Sequence, residues 1–190
     1  MGILDAVLGG GNTQLVSQLA RKFGIDESAV QSVVSQLVPA VSKGIKNNAS
    51  SSDGLGGLIG ALSQGNHQRY IESPEALTEP TAIDDGNAIL GHVFGTKDVS
   101  RNVASHAAES TGIDSGIVKQ LLPLVASAVM GALSKETTNS PALGGVGNLD
   151  ISSLMGGESS AAVNMISSFL DADNDGDITD DLLNLAKKFF

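Results

Sequence analysis

The strongest constraint on the fold is a segment that occurs twice in the chain. LVSQLARKFGIDESAV (15–30) and VASHAAESTGIDSGIV (103–118) share the tripeptide Gly-Ile-Asp. Five of eight positions are then identical between VSQLVPAV (34–41) and VKQLLPLV (118–125). A repeated segment indicates a fold assembled from two copies of one structural unit. Each copy is preceded by a similar short segment, ILDAVLGG (3–10) and ILGHVFGT (89–96).

Each copy is predicted to form a helix, a tight turn and a second helix. Gly24 and Gly112 suit the residue after a helix, where φ is positive. Asp26 and Asp114 follow two residues later, where a carboxylate can accept the free N–H groups of the next helix. The turn chemistry is therefore the same in both copies. The first helix of the first copy is expected at about 13–23.

The second helix of each copy is predicted to lie in the core. Each contains one proline, Pro39 or Pro123, which is expected to kink or divide the helix. Each also has apolar side chains at helical spacing, so the two units should bury these faces against each other. The predicted core residues are Val30, Val33, Val34, Leu37 and Val41 in the first copy, and Val118, Leu121, Leu122, Val125 and Val129 in the second.

Composition favours an all-α protein made of these units. Aromatic residues are only 3% of the chain, so the core must be aliphatic, and aliphatic cores suit closely packed helices. The predicted fold is two repeated helix-turn-helix units packed as a helical bundle, followed by a C-terminal helix-loop-helix with an EF-hand-like acidic loop.

The predicted organisation has three parts. Residues 1–136 hold the duplicated unit, with copies at about 3–46 and 89–134 joined by an irregular connection, 47–88, that contains one short helix at 55–63. Residues 137–159 read as a linker. Residues 160–190 form the C-terminal part, with helices at about 160–170 and 180–189.

Charge excludes several classes of partner. The formal net charge is −10 and the second helices are rich in Val, Leu and Ala, so the units are predicted to pack rather than to read DNA. The same charge argues against anionic membrane surfaces. The chain has no cysteine, no uninterrupted apolar run of membrane-spanning length and no basic segment before its first apolar run. We therefore expect a cytoplasmic protein that binds neither nucleic acid nor membranes.

The stretch DADNDGDITDD (171–181) contains six aspartates and matches most of an EF-hand calcium loop. Asp171, Asp173 and Asp175 stand at the first three ligand positions, and Asp177 would offer its backbone carbonyl. Leu182 occupies the place of the usual closing glutamate, so Asp181 or Asp180 would have to complete the shell. The sequence predicts a weak Ca²⁺ site, and the alternative is an acidic entry to the last helix.

Two hypotheses for function remain. The first is a non-catalytic helical protein that binds an unidentified protein partner or a second copy of itself, with the Ca²⁺-type loop as a structural element. The alternative is an enzyme that uses His92, His106 and an acidic neighbour in a cleft between the repeats. No metal-binding histidine pair and no phosphate-binding loop occur in the sequence. The non-catalytic hypothesis is therefore preferred.

Four segments carry a family resemblance: GNHQRYIESPEAL, DGNAILGHVFGTKDVSRNVASHAAESTGID, LLPLVASAVMGAL and FLDADNDGDITDDLLNLAKKF. Together they resemble the bacterial domain-of-unknown-function family typified by YidB. The resemblance covers nearly the whole chain and implies an all-helical, cytoplasmic bacterial protein. It implies no activity.

Overall fold

Helices account for nearly all of the chain that the computed structural model describes, which is residues 3–8 and 13–139. No strand occurs in these ranges, so the all-α prediction is confirmed for them. The helices are α1 (Ile3–Leu8), α2 (Thr13–Phe23), α3 (Glu27–Ala49), α4 (Ser52–Gln64), α5 (Arg69–Glu72), α6 (Pro80–Phe94), α7 (Lys97–Thr111) and α8 (Ser115–Asn139), with a 3₁₀ helix at Pro74–Thr78 between α5 and α6.

Helix α8 is the centre of the bundle. Every residue from 121 to 134 is buried, and α1, α3, α5, α6 and α7 all pack against this helix. A helix that is apolar on all sides is stable in water only when other elements surround it. Ser115–Glu136 is also long and apolar enough to cross a membrane, a criterion that buried core helices meet as well. Of its apolar 18-residue window, 78% is buried inside the protein.

The two Gly-Ile-Asp turns have the predicted backbone. Gly24 and Gly112 have φ values of 65° and 72°, which few other residues adopt without strain. Asp114 caps α8, because its Oδ1 accepts from the N–H groups of Gly116 at 2.8 Å and Ile117 at 3.3 Å. Asp26 occupies the same position before α3 but makes no capping hydrogen bond through its side chain, so that part of the prediction is wrong.

The predicted core is confirmed. All ten apolar residues assigned to the second helices are buried in α3 and α8. Helix α3 packs against both α7 and α8. Pro39 and Pro123 lie inside continuous helices, so of the two expected outcomes, a kink or a division, division does not occur.

The sequence predicts an irregular connection at 47–88 with one short helix at 55–63. Helix α4 covers that stretch, but the rest of the connection is more regular than predicted. The connection holds the end of α3, all of α4 and α5, the 3₁₀ helix and the first part of α6. Both prolines of this segment begin helices: Pro74 starts the 3₁₀ helix and Pro80 starts α6. Proline is tolerated in the first turn of a helix, where its missing N–H has no partner to lose.

Helices α6 and α8 are in close contact at Gly86. A Cβ atom at this position would lie 2.0 Å from the carbonyl oxygen of Pro123. One helical turn along, the Ser127 hydroxyl donates to the Ala82 carbonyl at 2.9 Å, which ties the same two helices together. The backbones of α6 and α8 are therefore in contact at Gly86, where there is no side chain to separate them.

Candidate groove between three helices

A small groove lies between α3, α4 and α6, with a cavity volume of about 210 Å³. Apolar side chains make up most of its lining, and polar side chains lie among them. We call this site the groove. Its apolar residues include Ile45, Leu58, Ala61, Ile89, Val93 and Met130, and its polar residues are Asn48, Asp53, His67, Asp85 and His92.

His67 is the buried polar residue of the groove. It follows α4 and is 8% exposed. Its ring packs against Gly65, because a Cβ added at that glycine would lie only 1.9 Å from Nε2 of His67. The imidazole is hydrogen-bonded to the backbone of Ala61, whereas Nδ1 is buried with no partner in the described structure. Burial lowers the pKa of His67 below its ordinary value, and the nearby Asp85 carboxylate opposes that change. The ring is therefore a buried group that favours the neutral form.

Asp85 is held at the edge of the groove by a hydrogen-bonded cluster. The buried Tyr70 hydroxyl donates to Oδ2 of Asp85 at 2.5 Å. The Arg69 guanidinium donates to the Tyr70 oxygen at 2.6 Å, lies 3.4 Å from the same carboxylate oxygen and stacks 4.7 Å from the Tyr70 ring centre. Burial, together with the hydrogen bond to Asp85, raises the pKa of Tyr70. These contacts fix the carboxylate of Asp85 in one position.

The end of α3 is tied to the end of α6 beside the groove. The Asn48 side-chain amide donates to the carbonyl oxygen of His92. The side chain of His92 is exposed and lines the groove. The short helix α5 packs against α8, and just before it a Cβ at Gly131 would lie 2.5 Å from the carbonyl oxygen of His67. The groove is thus framed by helices whose relative positions are fixed by specific contacts.

The sequence-predicted residues are only partly brought together. The groove contains His92 and an acidic neighbour, Asp85, but its lining does not include His106, which is exposed on α7. His67 lines the groove but is not among the site residues singled out from the sequence. A polar run, GNHQR, surrounds it, and no periodic pattern in that run reveals burial.

The proposed calcium ligands lie outside the described residues: Asp171, Asp173, Asp175, Asp177 and Asp181, with Asp180 as the alternative to Asp181. The same is true of the linker beyond 139 and of the helices predicted at 160–170 and 180–189. Within 3–8 and 13–139, no three His, Asp or Glu side chains are grouped closely enough to hold a metal ion.

Comparison with known proteins gives one result. Residues 5–136 match the family model described as a bacterial protein of unknown function, DUF937. The match runs from α1 into the last part of α8 and ends before the acidic stretch at 171–181. The chain matches no curated protein and no solved structure.

Proposed function

Because this chain belongs to the bacterial DUF937 family, whose function is unknown, we propose a function from its own residues: it is a non-catalytic helical module that binds a partner through the groove. One observation carries the proposal. The groove is concave and its lining is mainly apolar. Elsewhere, among the residues whose side chains the structure describes, Val99 is the only large apolar residue that is exposed. The groove is therefore a site at which a partner can bury apolar surface.

The chemistry of the groove supports binding rather than catalysis. Of the two carboxylates in its lining, Asp85 is engaged by Tyr70 and Arg69, and the hydrogen bond of the His67 ring goes to a backbone carbonyl. A general base or an activated nucleophile needs a side-chain pair within hydrogen-bond reach. Within the groove, no described hydrogen bond joins His67 or His92 to a carboxylate.

An enzyme remains the second candidate, because His67, His92 and Asp85 share one groove and the pKa of His67 is shifted. It differs from the sequence-based alternative in using His67 in place of His106. The two functions are separated by the fate of a bound ligand. If the protein only binds its ligand, we expect mass spectrometry to recover that ligand unchanged. If the wild type converts the ligand to a product and the His67→Gln variant does not, the enzyme is favoured.

The proposal includes a duplicated architecture. We take α2–α3 and α7–α8 as two copies of one unit packed as a bundle. The shared positive-φ glycine turns and the packing of α3 against α7 and α8 support this interpretation. The groove then lies beside the second half of α3, where the segment between the copies folds back as α4 and α6.

A weak Ca²⁺ site in the loop at 171–181 is a second part of the proposal, with the ion in a structural role. Calcium that binds only the folded protein raises the melting temperature as its concentration exceeds the dissociation constant. We expect such a rise in millimolar calcium relative to chelator, and its loss in the double variant Asp171→Ala, Asp175→Ala. An unchanged melting temperature, with no heat of binding by calorimetry, would leave the stretch as an acidic helix entry.

The binding function is tested by photo-cross-linking in bacterial cells, because we propose that the protein works in the cytoplasm. A photoreactive amino acid replaces Ala88, which is exposed and lines the groove, or the neighbouring Asn87, which is exposed and does not line it. We expect a discrete adduct from position 88 and none from position 87. An adduct containing a second copy of this chain would identify self-association. Equal adducts from both positions, or no adduct from position 88, would contradict the proposal that the groove binds a partner.

A further inference from the structure

The charge of the groove lining indicates the chemistry of the partner, and this inference rests on the proposed function. Asp53 of α4 and Asp85 of α6 both line the groove, and its lining includes no Lys or Arg. Asp84, next to Asp85, is exposed but does not line the groove. We infer that the groove binds a short protein segment in which an apolar side chain is flanked by Lys or Arg.

The size of the groove favours a side-chain anchor over a cofactor. A cavity of about 210 Å³ is smaller than the roughly 300–1,000 Å³ typical of sites for drug-sized ligands. It suits one or two aliphatic side chains inserted from a partner surface. Anchors of this kind, seated in a pocket and surrounded by a polar rim, supply most of the affinity of many protein interfaces.

The charges at the groove favour a basic segment as the partner. Asp53 is exposed at the first turn of α4, so its carboxylate is accessible to a cationic group of the partner. Asp85 is already paired with Arg69 at 3.4 Å, so it contributes less free charge. The whole chain carries a net charge of −10, which disfavours a second copy of itself as the occupant and increases the rate of association with basic partners.

The probe is a set of three peptides of about 12 residues with leucines at helical spacing. The remaining positions are filled with Lys, Gln or Glu, and binding to the full chain is followed by fluorescence anisotropy and by amide NMR shifts. We expect the affinity order Lys, then Gln, then Glu, with shifts centred on Ala88 and Ile89. The preference for Lys should weaken as salt is added, because exposed charges are screened.

Two pairs of variants make the test specific. Asp53→Asn should weaken binding of the Lys peptide about two- to fivefold, as expected for one exposed ion pair, and leave the Gln peptide unchanged. Asp84→Asn, which alters an acidic residue outside the lining, should change neither. Ala88→Trp should fill the groove and weaken binding of all three peptides, whereas Asn87→Trp should not, provided that both variants melt like the wild type.

The outcomes separate this inference from the proposed function. Equal affinity for the Lys and Glu peptides, with loss of both in Ala88→Trp, would overturn the basic-segment assignment and leave the groove as a binding site. Binding of a simple alkylamine as tight as that of the Lys peptide would overturn the assignment to a protein segment. Binding of the Lys peptide that Ala88→Trp does not alter, or no binding at all, would overturn the inference at this groove.

Discussion

At the scale of single residues, Gly86 fixes how closely α6 approaches α8. Alanine at this position would place its Cβ 2.0 Å from the Pro123 carbonyl oxygen, so the helices must separate. We expect Gly86→Ala to lower the free energy of unfolding by about 1–3 kcal/mol, as other overpacked sites do. Gly91→Ala, in the same helix with open space around it, should be neutral or stabilising by up to about 1 kcal/mol. Urea unfolding of both variants checks this, and equal effects would contradict it.

Leu121 tests the packing of α8 directly. The side chain is fully buried, so truncation to alanine removes apolar contacts and leaves a cavity. We expect Leu121→Ala to lower the free energy of unfolding by about 2–5 kcal/mol, measured by chemical denaturation. Lys119→Ala, exposed on the same helix, is the matched control and should have little effect. A near-neutral Leu121 variant would mean that this face of α8 does not pack as described.

Apolar core residues can be predicted from the sequence, whereas residues at contacts between helices cannot. Leu121 and Val34 could be assigned to the core because helical spacing puts apolar residues on one face. Gly86 and His67 could not, because their roles depend on which helices cross and where. Close contact between Gly86 and Pro123 joins positions 37 residues apart, and no local pattern encodes that distance.

At the scale of helices, α4 has a sequence with low helix propensity, and it also lines the groove. Its 13 residues include four glycines, each of which disfavours a helix by about 1 kcal/mol relative to alanine. Gly56 and Gly60 have open space where a Cβ would be, so alanine fits at both. We expect the double variant Gly56→Ala, Gly60→Ala to slow hydrogen exchange of the α4 amides. Gly54→Ala should speed it, because the added Cβ would lie 2.1 Å from the Asn48 carbonyl oxygen. Unchanged exchange in both variants would show that helix propensity does not limit the opening of α4.

The same helices explain why the connection 47–88 was misjudged from the sequence. Gly, Ser and Pro are usually breakers, and helices shorter than about 12 residues are marginal when isolated. Tertiary packing stabilises these short helices although their sequences disfavour them. The buried residues that pack in the shared core are Leu58, Tyr70, Leu77 and Ala82. The long helices α3 and α8 were predictable because their apolar periodicity extends over many turns.

At the scale of the whole molecule, the burial of His67 makes stability depend on pH. Its folded pKa is lowered from the ordinary value of 6.5, so below about that pH the unfolded chain binds more protons than the folded one. Stability should therefore be full above this value and fall as the pH drops below it. We expect His67→Gln to reduce this loss in urea unfolding between pH 7.5 and 5.5, whereas His92→Gln, which alters an exposed histidine, should retain it. Identical pH profiles for the wild type and His67→Gln would contradict the prediction.

The central position of α8 has a consequence for synthesis of the protein. Five helices that the ribosome makes earlier pack on this helix, and it is the last described helix in the chain. Until α8 leaves the ribosome, those helices lack the partner that they share, and a nascent chain with exposed apolar surface is prone to aggregate. We therefore expect the emerging chain to rely on a chaperone until α8 is available, and then to complete its core in one late step.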